Sequence, residues 1–169
     1  MRAIQTPRLR GEPIAAAHAD QLASLLADPL VGATLGGAPT RAEADAMLER
    51  QALQWEQYGY GLHAWFERES GRFVARGGLQ HTVVGSVLEV EVGWAVVSDR
   101  WGRGYATELG AASVEAAFGE LGLESIVAFT LPDNLASRRV MEKLGFAFER
   151  EVEHAGLPHV LYRLRAGAT

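Results

Sequence analysis

Residues 92–122 read VGWAVVSDRWGRGYATELGAASVEAAFGELG, and the fold turns on how this stretch divides. Apolar residues alternate as far as Val97, a polar turn follows, glycines flank Arg103, and an alanine-rich run then takes a helical period. Ala106, Gly110, Val114, Ala117, Phe118 and Leu121 fall on one stripe of that helix. The string predicts an antiparallel strand feeding a bare turn at the mouth of a helix. Helix N-termini expose unpaired N–H groups and about half a positive charge, so a turn without bulky side chains can receive an anion. A tight strand-to-helix turn that needs glycine for positive φ predicts the same residues. Among phosphate-binding loops, a Walker loop fails because no lysine stands near the turn. The dinucleotide pattern GxGxxG is half met: Thr107 occupies its third position, and hairpin strands precede it where a βαβ unit is required.

On the N-terminal side, LHAWFE, FVARGGLQH and VLEVEVGWAVV read as strands separated by turns at ESGR and VVGS. Connections this short predict antiparallel neighbours. Earlier, a short strand is expected at Thr6–Arg10. Leu22, Leu25 and Leu26 mark a helix ended by Pro29, and Thr40 with Glu43 forms a capping box for a helix burying Ala44, Leu48, Ala52 and Trp55. On the C-terminal side SIVAFTL reads as a buried strand, LASRRVMEKL as a helix stopped by Gly145, and FAFEREVEH and HVLYRLR as closing strands. The order β, α, α, β, β, β, α, β, α, β, β predicts a mixed sheet covered by helices, α+β in class.

The 169 residues suit one domain with a substantial core, so a single domain over 1–169 is expected. A 48 % hydrophobic and 22 % charged composition is that of a globular chain, and no apolar run approaches the roughly 18 residues of a membrane helix. The start, MRAIQTPRLRGEP, has no apolar signal core, and there is no cysteine for disulfides or thiolate ligands; a cytoplasmic location is the expectation. A net charge of −5 argues against nucleic acid as partner, since backbone-phosphate binding draws on clustered Lys and Arg. The five histidines, at 18, 63, 81, 154 and 159, lack metal-ligand spacing, so no metal is expected.

The turn WGRGYA fits a third phosphate loop, the [QR]xxGx[GA] pattern of the GNAT superfamily of N-acetyltransferases. The segment from EVEVGW to MEKLGF, with TPRLR near the start and LPHVLYRL near the end, resembles the branch similar to ribosomal-protein N-terminal acetyltransferases, the RimJ/RimL type. Trp101 departs from the broad pattern, which has Gln or Arg there; that branch often carries an aromatic. The resemblance implies the GNAT fold, a mixed and mostly antiparallel sheet with helices on both faces. It also implies acetyl-CoA as cosubstrate and a primary amine as acceptor. The backbone of Arg103, Gly104, Tyr105 and Ala106 would take the pyrophosphate. Trp94, Ala95, Val96 and Val97 would splay from SIVAFTL and pair with the pantetheine arm. Asn134 would contact that arm, and Ser137 would protonate the departing sulfur. A monomer and a homodimer both stay open.

Direct acetyl transfer needs a neutral amine, oxyanion stabilisation and a proton for the thiolate. Asn134 and Ser137 stand at i and i+3, where plain N-capping is the competing role. Strand alternation puts Val90, Val92 and Trp94 on one face and Glu89 with Glu91 on the other. Glu91 lies two residues before Gly93, close to where the resemblance places the acetyl group, and the resemblance makes it the candidate general base, against the alternative of a solvated strand face. Trp55, Tyr58 and Tyr60 suit core and helix-end packing, while the resemblance places Tyr58 and Tyr60 beside the acceptor site. A peptide α-amine has a pKa about 2.5 units below that of lysine, which saves roughly 3.4 kcal/mol of deprotonation and favours an α-amine or similar acceptor. A non-catalytic acyl-CoA-binding module and a transferase for another acyl group, such as succinyl, are the alternatives.

Overall fold

The computed structural model describes residues 3–167. Eight strands form one sheet in the order β1-β2-β3-β4-β5-β6-β8-β7. They are β1 (Ile4–Gln5), β2 (Leu9–Pro13), β3 (Leu62–Glu67), β4 (Phe73–Val84), β5 (Val87–Val96), β6 (Ser125–Thr130), β7 (Ala147–His154) and β8 (Leu157–Arg165). Helices α1 (Ala19–Ala27), α2 (Pro29–Thr34) and α3 (Arg41–Tyr58) precede β3, α4 (Tyr105–Glu115) joins β5 to β6, and α5 (Leu135–Lys143) joins β6 to β7. All neighbours are antiparallel except β5 and β6, whose parallel pairing requires the long α4 crossover. This is the α+β GNAT fold.

Alternate residues of β3 show how both faces are buried. Leu62, Ala64 and Phe66 pack with Leu22 and Leu26 of α1 and Ala44 and Leu48 of α3. Trp65 points the other way and packs with Tyr105 and Leu109 of α4. On that second face Met141 of α5 joins Leu79, Val92, Ile126 and Ala128. A sheet covered on both sides has no solvated face at its centre. Glu91 is accordingly only 8 % exposed, which overturns the solvated-face alternative for it.

Several boundaries differ from the sequence expectation for identifiable reasons. The early strand runs Leu9–Pro13, and Thr6 and Arg8 instead bond to Glu108. Pro29 follows the end of α1 but also opens α2 at its first turn, where a missing N–H costs nothing, and Asp28 caps it by accepting from Leu30 N at 2.9 Å. The Thr40–Glu43 capping box is present, but α3 buries Gln51 and leaves Ala52 exposed. Gln51 is held inside because its Oε1 accepts from Leu62 N at 2.9 Å and its Nε2 donates to Gln80 at 3.1 Å. The expected stripe of α4 and the turn after it does face the core, and the buried face is wider than that stripe: Leu109 and Ser113 are buried too, the serine hydroxyl being satisfied by the Leu109 carbonyl at 2.9 Å.

His63, fully buried on β3 between Trp55 and Trp65, makes no hydrogen bond of regular geometry from either ring nitrogen among the described residues. Burial lowers its pKa to about 4 from 6.5, so the folded state keeps the ring neutral while the unfolded chain protonates it below pH 6.5. Its contribution to stability is complete above pH 6.5 and is lost as pH falls toward 4, at about 1.4 kcal/mol per unit. Denaturant titrations at pH 6.5 and 4.5 should therefore show His63→Leu losing about 2 kcal/mol less than wild type. Parallel losses in the two proteins would mean that the native ring takes up its proton without penalty.

Candidate active site

The turn between β5 and α4 holds Gly102 at φ 74° and Gly104 at φ 81°, the latter as N-cap of α4 with no side-chain cap. A Cβ on Gly102 would meet nothing within 4 Å, so glycine is required there by backbone conformation and not by crowding. The same geometry leaves the N-terminus of α4 without a side-chain cap. It borders a cavity of about 380 Å³ lined by Gly104, Tyr105, Ala106 and Thr107 on one side and Arg139 and Lys143 of α5 on the other. Arg139 and Lys143 were missed from sequence; their i,i+4 spacing on a helix that faces the turn was the available signal. Arg103 is exposed and lies outside the cavity wall.

Two side chains pin this turn. Arg8 donates from Nε to Glu108 Oε2 at 2.6 Å and from a terminal nitrogen to the Arg103 carbonyl at 2.8 Å, while its guanidinium lies 4.8 Å from the Tyr105 ring centroid. Thr6 Oγ and Arg8 N both donate to Glu108 Oε1, at 2.6 and 2.8 Å. The TPRLR segment is thus a clamp on the first turn of α4. Trp101, the departure from the broad loop pattern, donates its indole N–H to the Val96 carbonyl at 2.8 Å.

Beyond the turn, β5 and β6 separate. Their only ladder position is Glu91 opposite Val127, although β5 continues along β4 to Val96 and β6 along β8 to Thr130. Backbone groups in such a gap need other partners. Trp94, Ala95 and Val96 line the resulting cavity, with the Val96 carbonyl already taken by Trp101. Val97 does not line it: its amide donates to the Val74 carbonyl at 2.9 Å and its side chain packs into the core.

Trp94, Asn134 and Ser137 line this cavity and also a second one of about 570 Å³, so the two meet at the gap. Asn134 caps α5, accepting from Ser137 N at 3.2 Å, and its amide donates to Thr130 Oγ1 at 2.9 Å and Ser137 Oγ at 3.1 Å. The capping alternative is therefore present in the fold. It has a chemical consequence: Ser137 Oγ accepts from Asn134, which leaves the serine proton free to be donated into the cavity.

Glu91 lies in the second cavity, with Arg76, Gln80 and Thr82 of β4. Gln80 Nε2 donates to Glu91 Oε2 at 3.0 Å and is itself steadied by Gln51. Burial pushes the Glu91 carboxyl above the ordinary range, opposed by the Gln80 hydrogen bond and the field of Arg76. A Cβ on Gly93 would come within 3.2 Å of Glu91 Oε1, so glycine there gives the carboxylate its space. Tyr58 and Tyr60 are not brought into either cavity. Tyr60 is buried with its hydroxyl 3.2 Å from His81 Nε2, and Tyr58 is an exposed helix-end residue stacked on the same imidazole at 4.1 Å. Arg76 and Gln80 were missed because strand alternation alone does not say which polar residues face a cavity.

Residues 8–147 match the family described as Acetyltransferase (GNAT) domain, and the chain belongs to that family. It is similar to YkkB of Bacillus subtilis (strain 168), 27 % identical over 127 residues that make up 72 % of this chain and 74 % of that one. A solved structure assigned to the GnaT acetyltransferase family from Bordetella pertussis superposes with a TM-score of 0.85 at 28 % identity, covering 98 % of this chain and 100 % of the other. RimL, a ribosomal L7/L12 α-N-protein acetyltransferase solved with coenzyme A, shares the fold at 16 % identity, with a TM-score of 0.79 over 99 % of this chain and 100 % of its own.

If Arg8 clamps the turn, Arg8→Ala should loosen it without disturbing the sheet. A charge-assisted hydrogen bond contributes about 1.5–3 kcal/mol, less at an exposed site, so hydrogen exchange at residues 104–107 should quicken roughly tenfold. Mass-spectrometric exchange of β4 and β5 should stay as in wild type; unchanged protection at the turn would leave Arg8 as a surface ion pair only.

Proposed function

We propose that the protein is an N-acetyltransferase that moves an acetyl group from acetyl-CoA to a primary amine. One observation carries this reading: an uncapped helix N-terminus and a buried carboxylate line two adjoining cavities that share Trp94, Asn134 and Ser137 where β5 and β6 part. The donor cavity suits a long chain ending in phosphates, and the acceptor cavity suits a small polar group. The whole chain, 1–169, is read as one domain of this kind. The RimJ/RimL-type resemblance is supported by a clamp built from the TPRLR segment.

Bound acetyl-CoA would supply an activated acyl group as a thioester. The amides of Gly104, Tyr105 and Ala106 hold its pyrophosphate, with Arg139 and Lys143 adding charge across the cavity. Trp94 and Ala95 offer backbone groups to the pantetheine arm. Asn134 orients Ser137, whose hydroxyl proton is delivered to the departing sulfur. At the other end Glu91 Oε1 takes the proton of the amine, directly or through one water. Its raised proton affinity suits that task near neutral pH better than an ordinary carboxylate would.

Gly104→Val tests the donor end. A β-branched residue is strained at φ 81° and crowds the loop, so acetyl-CoA binding by calorimetry should weaken at least about tenfold in a folded protein. An unchanged dissociation constant would move the pyrophosphate elsewhere.

Glu91→Gln tests the acceptor end, with free thiol release above a no-amine control as the assay. The base acts only when ionised, so wild-type turnover should fall as pH drops through the raised Glu91 pKa. The variant should lose about 10²-fold in rate, recover part of it as pH rises and more amine is neutral, and bind acetyl-CoA as before. A variant profile that overlays the wild type removes Glu91 from the reaction. Binding of acetyl-CoA without turnover on any amine would instead favour a non-catalytic module.

A further inference from the structure

Arg76 is the one arginine buried among the described residues, 9 % exposed in the middle of β4. The other partly buried arginines are paired: Arg100 with Glu67, Arg163 with Glu89 and Glu149, Arg138 with the Tyr162 hydroxyl. Arg76 makes no hydrogen bond and no ion pair among the described residues, and its Nε is shielded from solvent without an acceptor. Its partners across the ladders, Ala64 and Ala95, offer only methyl groups. A guanidinium does not discharge itself by losing a proton in a protein, so a buried unpaired one is costly. Such a cost, kept in the wall of a cavity, marks a place where an anion belongs.

Glu91 does not fill that place. The β4–β5 register sets Gln80 opposite Glu91 and Ala95 opposite Arg76, four residues further along. Glu91 is engaged by Gln80 and stands outside ion-pair contact with Arg76, though near enough for their fields to interact. Glu43, also on the cavity wall, is committed to the Thr40 cap. The cavity thus presents a proton acceptor and, apart from it, a planar cation with unused donors. One small molecule satisfies both if it carries an amine at one end and a carboxylate at the other, since a guanidinium binds a carboxylate through two parallel hydrogen bonds.

We propose that Arg76 is the anion-binding residue of the acceptor cavity and that the acceptor is an amino-acid-like zwitterion, its carboxylate on Arg76 and its amine toward Glu91. This rests on the acetyltransferase reading above and narrows its acceptor class from any primary amine to one bearing an acidic group. A polypeptide N-terminus, which carries a neutral amide beside its amine, leaves Arg76 unpaired.

The test sets the common α-amino acids against their carboxamides and short peptides, in two assays. In thiol release with acetyl-CoA, at least one amino acid should exceed its carboxamide roughly tenfold in kcat/KM. Arg76→Met, of similar length and apolar, should bring the pair within roughly twofold, chiefly through KM, with acetyl-CoA affinity unchanged. Arg76→Lys should keep part of the preference. In calorimetry on the coenzyme A complex, the same amino acids should give binding heat that their carboxamides and Arg76→Met lack. The ligand-free melting temperature of Arg76→Met should equal or exceed that of wild type, because an unpaired buried charge has gone. A lowered melting temperature would mean Arg76 is a structural ion and overturn the proposal. So would carboxamides or peptides turned over as well as free amino acids, which would leave the acetyltransferase standing, or a carboxylate preference that survives Arg76→Met. Carboxylate binding lost in Arg76→Met, with no amine acetylated, would support the anion site and overturn the acetyltransferase reading. Neither binding nor turnover with any amino acid overturns the proposal.

Discussion

Strands β5 and β6 pair at Glu91 and Val127 and then part, and both cavities exist because they do. Each strand keeps its outer neighbour, β4 for β5 and β8 for β6, so the sheet survives a gap that would otherwise end it. Inside the gap the ladder groups of two strands lack their usual partners, a condition a folded protein sustains only where water or a ligand can supply them. Trp94 stands in this opening with Asn134 and Ser137, touching both cavities. The residue of β5 that pairs with β6 is also the buried carboxylate, so the parting of the strands sets Glu91 at the edge of the opening.

The loop before α4 shows how distant segments are drafted to hold a turn. Glu108, in the first turn of α4, receives hydrogen bonds from Thr6 and Arg8, about a hundred residues away in sequence. Arg8 also reaches the Arg103 carbonyl, and Trp101 ties the other side of the loop to β5. Thus Glu108 is neutralised locally, and the positive end of the helix keeps no side-chain cap.

In the cavity that holds Glu91 the electrostatics are of another kind. A chain of amides, Gln51 to Gln80 to Glu91, fixes the carboxylate from the α3 side, while Arg76 stays unpaired in the same wall. Among the described residues the other buried side-chain atoms without a partner are on His63 and His81, and His63 is enclosed by tryptophans and lines neither of the two cavities. The difference between His63 and Arg76 is protonation: an imidazole can be buried neutral, a guanidinium cannot.

Local chemistry was legible in the sequence. The glycine turn before α4, the Thr40–Glu43 box, the hairpins from β3 to β5 and the Asn134 cap each depend on residues a few positions apart, and spacing is what a sequence displays. The resemblance singled out Glu91, Ser137 and the loop as candidates by the same short strings. What only the tertiary structure decided is which of these residues are buried and what they face. Alternation put Glu89 and Glu91 on one face, yet Glu89 pairs with Arg163 of β8 whereas Glu91 is enclosed beneath the helices. Gln51, Arg76 and Gln80 look like ordinary polar residues until α3, β4 and β5 come together. Strand β8 inserts between β6 and β7, a placement set by long-range pairing that no local period encodes. Burial is a property of the assembled layers, and the charge behaviour of Glu91 and Arg76 follows from burial.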